Sequence, residues 1–474
     1  MTKLGVLFSV LGVGAGCIPA SAQKQLPNII VMLSDDQGWG DLGFTGNTFV
    51  QTPNIDRIAH EGTILENFYV CPVSSPTRAE FLTGRYHVRS GVNSTTGGGE
   101  RFNLGEKTIA EYFREAGYAT SLFGKWHSGT QYPYHPNARG FEEFYGFCSG
   151  HWGNYWNPVL EHNGEIISGE GFIIDDLTDK ALDYIRDHKE HPFFMFLSYN
   201  TPHSPMQVPD SWWNRVKDRT LSQRATFPEQ EDTTFTKAAL ALAENLDWNI
   251  GRVLSLLHSL DLEQETIVIY FSDNGPNSFR WNGGMKGRKG STDEGGVRSP
   301  FCIRWPGHIR KGAVETQLSG AIDLIPTLLG LAGIEYTPLR KLDGIDWGQR
   351  LLDEKAPAID RVLYSYWGGK TSVRISYYLL DAEDHLYKTD IDREQRKDVS
   401  DKEPEIYERM KRYSNWFKDE LLADFPKKDT RPFIIGKPIQ SYRPGMRGYL
   451  ARSNAPTVIR IVLILRIGKA RKRR

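Results

Sequence analysis

The sequence predicts an α/β protein in which a large, doubly wound, mostly parallel sheet is flanked by helices and followed by a smaller C-terminal α+β subdomain. Three observations predict it. Four short apolar runs each end in polar residues of chemical interest, segments with helical periodicity lie between them, and the texture of the chain changes near Arg361.

The first run, Asn28 to Leu33, ends in Ser34-Asp35-Asp36, and the second, Tyr118 to Phe123, ends in Gly124-Lys125-Trp126-His127. The third, Phe193 to Leu197, leads to Thr201-Pro202-His203, and the fourth, Thr266 to Phe271, leads to Ser272-Asp273-Asn274-Gly275. Short runs without polar alternation read as strands buried on both faces. Helical segments are expected at Asn54 to Glu61, Thr108 to Ala116 and Thr236 to Leu260, the last with apolar residues at helical spacing. In a doubly wound sheet, ligands bind beyond the carboxyl ends of the strands, which is where all four polar clusters fall. After Arg361, strand-like Val362 to Trp367 and Ser372 to Leu380 precede a charged helical stretch from Glu403 to Leu422.

The chain has 474 residues, enough for two unequal domains. The expected division is a signal peptide at 1–22, an α/β domain at 23–357, an α+β subdomain at 358–450 and a basic tail at 451–474. Lysine plus arginine equals aspartate plus glutamate at 58 each, so no global field marks a nucleic-acid or membrane-surface binder. Any anionic ligand is recognised locally.

Lys3, the apolar stretch Leu4 to Val13 and Ala20-Ser21-Ala22 read as a secretory signal, too short to span a bilayer, which places the protein outside the cell or in a periplasm. Cys17 would be a degenerate lipoprotein site, lacking an aliphatic residue three positions upstream. After cleavage Cys71, Cys148 and Cys302 remain; they imply no disulfide framework, leave room for one bridge, and show no paired zinc spacing. The tail from Pro456 mixes apolar residues with arginines and ends in basic Lys469 to Arg474, too charged for a membrane span.

The run Ser74-Ser75-Pro76-Thr77-Arg78-Ala79-Glu80-Phe81-Leu82-Thr83-Gly84-Arg85 carries chemistry. Pro76 suits the first turn of a helix, which puts Ser74 at the N-terminus, where free amides and the dipole favour an anion. Arg78 adds a fixed cation one turn in. Alternatively, Ser74 or Ser75 merely caps an ordinary helix. Asp35, Asp36, Asp273 and Asn274 form a hard oxygen set suited to calcium or magnesium, although Asp-Asp pairs in loops also serve as turn formers.

The Ser74 to Arg85 segment resembles the signature of the formylglycine-dependent sulfatases, arylsulfatase-like enzymes of the alkaline phosphatase superfamily, in the serine-type variant found in bacteria. The resemblance extends through Thr52-Pro53-Asn54-Ile55-Asp56, Gly124-Lys125-Trp126-His127, Trp305-Pro306-Gly307, Asp323-Leu324-Ile325-Pro326-Thr327 and Leu342-Asp343-Gly344, from about Pro27 to Leu422. It implies that a formylglycine-generating maturation enzyme oxidises Ser74 to an aldehyde whose hydrate attacks sulfur. It also implies one divalent cation, calcium before magnesium, held by Asp35, Asp36, Asp273, Asn274 and the modified Ser74. Arg78 would belong to the catalytic set, Lys125 would bind sulfate, His127 would take a proton from the hydrate, and His203 and Lys289 would contact the ester and protonate the departing alcohol. Arg85 would assist the loop holding Ser74. Lys286 competes with Lys289 for its role, and the spacing to Glu294-Gly295-Gly296 favours Lys289.

Trp152, Tyr155 and Trp156 offer aromatic faces for a sugar ring or for the protein's own core. The expected substrate is a sulfated carbohydrate or aryl sulfate. A phosphatase or phosphodiesterase using unmodified Ser74, and a sulfoglycan-binding protein without turnover, are the alternatives.

Overall fold

The computed structural model describes residues 26–426, 429 and 431. The signal peptide at 1–22 with Cys17 and the tail at 451–474 lie outside the described residues.

Among the described residues the central sheet has ten strands, and the four apolar runs form its middle. In chain order the strands of this sheet and of a small companion are β1 (Asn28–Ser34), β2 (Thr63–Leu65), β3 (Phe68–Tyr69), β4 (Ala119–Lys125), β5 (Glu143–Phe147), β6 (Val159–His162) and β7 (Glu165–Ser168). They continue with β8 (Phe193–Ser198), β9 (Thr266–Ser272), β10 (Phe301–Arg304), β11 (Ala313–Glu315) and β12 (Ser319–Gly320). The order across the sheet is β11-β2-β10-β9-β1-β8-β4-β5-β6-β7, with β3 and β12 paired separately. Strands β9, β1, β8, β4 and β5 run parallel, while β10, β6 and β7 add antiparallel edges.

Register decides where the chemistry sits. Ser34 pairs with Ser272, Leu33 with Ser198 and Gly124 with Ser198, so the strands leave the sheet at one level. The residues that follow converge on one edge.

Each face of the sheet is covered because alternate residues point to opposite sides. Ile29, Val31 and Leu33 join a core with Phe81, Leu82, Ile109, Phe113 and Leu328, carried by helices α2 (Ser74–Thr83), α4 (Ile109–Glu115) and α9 (Leu324–Ala332). Ile30 and Met32 join Ile55, Ile58, Leu177, Leu246 and Val253 on α1 (Pro53–Glu61), α5 (Ile173–Asp187) and α7 (Thr233–Ser259). Short α3 (His87–Ser90), α6 (Asp210–Val216), α8 (Glu294–Val297) and α10 (Gly348–Leu352) complete this part. The long helix starts three residues earlier than its apolar pattern predicts because Asp232 accepts hydrogen bonds from the amides of Thr234 and Phe235 and caps it there.

The C-terminal part is a four-stranded antiparallel sheet of β13 (Leu363–Trp367), β14 (Lys370–Ile375), β15 (Tyr378–Leu380) and β16 (Leu386–Lys388), packed by α11 (Pro404–Trp416). The single strand expected from Ser372 to Leu380 is two: Ser376, at φ 42°, turns the chain between β14 and β15. The helix expected to reach Leu422 ends as an α-helix at Trp416 and continues as a π-turn over Phe417–Leu421. Cys71, Cys148 and Cys302 are all free and buried, so the one bridge that the sequence leaves room for is not formed. No helix among the described residues is long and apolar enough to cross a membrane.

Buried Arg374 on β14 joins the two parts. Its Nε donates to Glu294 Oε1 at 3.0 Å and its Nη2 to the carbonyl of Thr292 at 2.8 Å, so the small sheet holds the loop that follows Lys289. Replacing Arg374 with alanine leaves the Glu294 carboxylate buried with Arg298 and the Tyr69 hydroxyl as its remaining partners, both on Oε2. The expected cost is on the order of 3 kcal/mol, read as a lower urea midpoint with an unchanged slope.

Candidate active site

The nucleophile candidate is built by the start of α2. All ten residues of this helix are buried, and no side chain caps its N-terminus. Neither serine serves as a cap: Ser75 donates to the carbonyl of Ser94 at 3.0 Å, and Ser74 faces two other groups. Arg78 Nε donates to Ser74 Oγ at 2.8 Å, and His127 Nδ1 lies 3.1 Å from the same oxygen. His127 Nε2 is 2.8 Å from the carbonyl of Thr95, which can only accept, so the ring proton sits on Nε2 and Nδ1 is left to accept from Ser74. Burial, and then the charge of Lys125, push His127 well below the ordinary histidine range, so the ring is neutral and able to take a proton.

Arg78 has no exposed surface and spends its guanidinium on the site. Nη1 donates to the Lys125 carbonyl at 3.1 Å and to Ser198 Oγ, and Nη2 reaches Asp273 Oδ2 at 3.2 Å. One side chain therefore connects α2 to the ends of β4, β8 and β9. Thr77 Oγ1 adds a second tie, donating to the Asp273 carbonyl at 2.6 Å.

Asp35, Asp36, Asp273 and Asn274 meet beyond β1 and β9. The Asp36 amide donates to Asp273 Oδ1 at 3.1 Å, and Asn274 Nδ2 donates to Asp36 Oδ1 at 2.8 Å. Lys125 Nζ donates to Asp35 Oδ2 at 2.6 Å, and Lys289 Nζ is 2.6 Å from Asp36 Oδ1. Burial alone would raise the Asp35 carboxyl, but Lys125, His203 and Arg78 together outweigh it and hold Asp35 below the ordinary range. Burial also pulls Lys125 down, against the pull of Asp35, whereas in Lys289 the carboxylates of Asp36 and Asp35 override burial and raise the ammonium.

Three oxygens in this cluster have no hydrogen-bond partner although they are buried: Asp35 Oδ1, Asp36 Oδ2 and Asn274 Oδ1. Orphaned buried acceptors cost about 1–3 kcal/mol each, and an all-oxygen set of this kind fits a hard divalent cation. His203 stands beside it, with Nε2 3.5 Å from Asp36 Oδ2 and Nδ1 2.7 Å from the Ser204 carbonyl. The structure thus brings together Asp35, Asp36, Ser74, Arg78, Lys125, His127, His203, Asp273, Asn274 and Lys289.

Two of these residues have uncommon backbones, Asp36 at φ 63° and His127 at φ 60°. Arg280, paired with Asp41 at 2.6 Å, donates to the Asp36 carbonyl at 2.9 Å, and the His127 amide donates to the Cys148 carbonyl at 3.2 Å.

Arg85 does not touch the nucleophile; it pairs with Glu106 at 3.4 Å, because α2 carries it past the helix end. Lys286 turns toward Asp293 at 3.5 Å and Asp381 at 4.0 Å, which leaves the acid cluster to Lys289. The aromatics divide. Tyr155 is buried and donates to the His203 carbonyl at 2.7 Å, Trp152 stacks on Phe147 at 5.0 Å, and Trp156 is exposed against Phe172. Sequence reasoning missed Ser198, Thr95, Gly150 and His151. Ser198 had a signal, as the polar residue ending an apolar strand; His151, whose ring lies 5.3 Å from that of His203, had none.

The sequence matches the sulfatase family over residues 27–334. It is 32% identical to N-acetylgalactosamine-6-sulfatase of Mus musculus over 402 residues, covering 77% of this chain and 72% of that protein. The Homo sapiens protein of the same name is 32% identical, with 74% and 70% covered. The structure of Ps i-CgsB in complex with k-i-k-neocarrahexaose superposes with a TM-score of 0.75 at 28% identity, covering 85% of this chain and 94% of that one.

Gly150 offers a test of the His127 geometry, since a Cβ there would stand 2.1 Å from His127 Nε2. Gly150→Ala is expected to displace the ring and lower kcat about 10²-fold, the usual cost of a misplacement near 1 Å. Steady-state kinetics beside a melting curve checks this; unchanged kcat with a folded protein would show that His127 is not needed where it stands.

Proposed function

The chain belongs to the sulfatase family and hydrolyses sulfate esters; from that premise we propose that it does so with formylglycine made from Ser74 and one divalent cation, on a sulfated carbohydrate. One observation carries the reading: Ser74 Oγ is held between Arg78 Nε and His127 Nδ1 at a helix N-terminus, beside a cluster with three orphaned buried oxygens. An oxygen held in such a place suits attack on an anionic group, and its burial requires a formylglycine-generating enzyme to act before the chain folds.

Asp35, Asp36, Asp273 and Asn274 would hold the cation with the modified Ser74, and calcium suits the donor set, with magnesium as the smaller alternative. Such an ion supplies Lewis acidity at the sulfate. Formylglycine supplies a geminal diol, one hydroxyl to attack sulfur and the other to expel sulfate. The remaining work falls to the side chains. Arg78, shared between Ser74 and Asp273, fixes the orientation of the attacking oxygen. His127 Nδ1 accepts the proton that the diol gives up, and the bond from Nε2 to Thr95 keeps that tautomer. Lys125 and Lys289 place two ammoniums where negative charge accumulates on the sulfate and the leaving oxygen. His203 commits its Nδ1–H to the Ser204 carbonyl and turns Nε2 toward Asp36; in its imidazolium form it would carry the second proton for the departing alcohol.

Two features support a carbohydrate. N-acetylgalactosamine-6-sulfatase and Ps i-CgsB, with its neocarrahexaose, bear saccharides in their names or complexes, and the loop with His151, Trp152 and exposed Trp156 follows β5 at the sheet edge that carries the site. Export, secreted or periplasmic, rests on the reading of residues 1–22.

The peptide from Ile58 to Arg78, isolated from the native host, is expected to weigh about two mass units less than its serine form. Ser74→Ala is expected to abolish turnover; substantial residual activity contradicts the covalent mechanism. Chelation is expected to stop the enzyme and calcium or magnesium to restore it, and indifference to thorough metal removal rules out the assignment of Asp35 and Asp273. Lys289→Ala is expected to slow esters of poor leaving groups at least tenfold more than those of good ones. Equal losses on both would remove Lys289 from leaving-group protonation.

A further inference from the structure

Behind the nucleophile lies a second cluster that the reaction does not use. Cys71 stands three residues before Ser74, Glu80 is on α2 and His87 opens α3, so the cluster spans the segments that build the nucleophile's hairpin. Their candidate donor atoms, a sulfur, a carboxylate oxygen and an imidazole nitrogen, all lie within 4.8 Å of one another. All three side chains are buried, and His87 is only 2% exposed. Neither ring nitrogen of His87 has a hydrogen-bond partner; Nδ1 is 3.9 Å from Glu80 Oε1, beyond bonding distance. A fully buried imidazole with two idle nitrogens is uncommon and calls for a reason.

We propose that Cys71, Glu80 and His87 bind a zinc-class divalent ion that clamps the turn before Ser74 to α2 and α3. The donor set decides the class, because one thiolate, one imidazole and one carboxylate suit a borderline ion, unlike the all-oxygen cluster at Asp35 and Asp36. Charge balance favours it. Burial drives the Cys71 thiol well up, Glu80 up to about 8 and His87 down to about 3, so alone the three are a thiol, a carboxylic acid and a neutral ring. Binding a dication releases the thiol and carboxyl protons and leaves the buried cluster neutral as before, with no net charge moved into the core.

The three donor atoms, within 4.8 Å of one another, close in on the ion when it binds. Bonds of about 2.0 Å to nitrogen and 2.3 Å to sulfur set tetrahedral edges near about 3.5 Å, so the 3.9 Å from His87 to Glu80 contracts slightly. The second Glu80 oxygen or a solvent molecule fills the fourth position. The ion acts on Ser74 through position. The Cys71 amide donates to Thr77 Oγ1 at 2.8 Å, and Thr77 in turn holds the Asp273 carbonyl, so fixing Cys71 fixes the base of the site. Its spacing, eight residues between Cys71 and Glu80 and six between Glu80 and His87, is no paired-ligand pattern and gives no signal in sequence.

The test uses the full chain, produced in medium with cobalt(II) in place of zinc and then dialysed against calcium. One tightly held equivalent of cobalt and a thiolate-to-cobalt charge-transfer absorption in the near ultraviolet are expected. Cys71→Ser should lose that absorption and His87→Ala the cobalt itself. Cys148→Ser should keep both, which separates this cluster from the half-buried one at His135, Cys148 and Glu161. Wild-type protein with cobalt far below one equivalent, or with no charge-transfer band, overturns the proposal without any variant. So does a band that survives Cys71→Ser in protein whose circular dichroism matches the wild type. Unmodified Ser74 leaves all these readouts unchanged, so they stand or fall apart from the formylglycine reading.

Discussion

The buried guanidinium of Arg78 is the interaction on which the rest of the site depends. It is the one group that touches the nucleophile candidate, the end of β4, the end of β8 and the carboxylate after β9. Removing such a charge from water costs several kcal/mol, and the ion pair with Asp273 repays it only because the remaining donors are also satisfied. Arginine suits the place because its planar fork can address four acceptors in fixed directions, which a lysine cannot. The geometry in turn requires the strand ends to lie at one level. Parallel pairing in register supplies that, with Leu33 and Gly124 both opposite Ser198.

Around this anchor the site is a balance of buried charge. Asp35, Asp36 and Asp273 face Lys125, Lys289 and Arg78, and all but Lys289 are withdrawn from solvent. Such a set tolerates little movement, and the surrounding structure enforces that at a cost. The left-handed backbones of Asp36 and His127 cost on the order of 1–3 kcal/mol each. Arg280 on the Asp36 carbonyl and the close approach of Gly150 to the His127 ring keep them there. Arg374 extends the same control from a separate sheet, because the loop after Lys289 hangs from its guanidinium.

Much of this is legible in sequence wherever a local pattern carries it. The middle strands are apolar throughout, so their ends, and Asp35, Lys125, His127, His203 and Asp273 with them, could be placed before any coordinate. β5 escaped because Glu143 to Phe147 is short and contains a glycine, although α5 has apolar residues at 173, 174, 177, 181, 182 and 185 that show the helical period. The hairpin at Ser376 escaped because nothing at that position announces a turn. Arg85, expected to assist the loop holding Ser74, stands past the end of a ten-residue helix and pairs with Glu106. Contacts that join distant segments, such as Ser198 with Arg78 or Thr95 with His127, leave no trace in either segment alone.

The division between what sheet and loop contribute follows from what each must recognise. A sulfate group has the same size and charge in every ester, so the groups that meet it can be fixed to strand ends and a buried helix, the most rigid parts of the fold. The alcohol that carries the sulfate varies, and variation is tolerated in loops that a rigid scaffold displays. In this chain the loop after β5 fits that role while remaining tied to the site. Tyr155 is buried and bonded to the His203 carbonyl, so it helps to hold His203 in place, whereas Trp156, one residue on, is exposed. One short segment thus serves both demands, since a change at exposed Trp156 leaves the bond from Tyr155 to the His203 carbonyl in place.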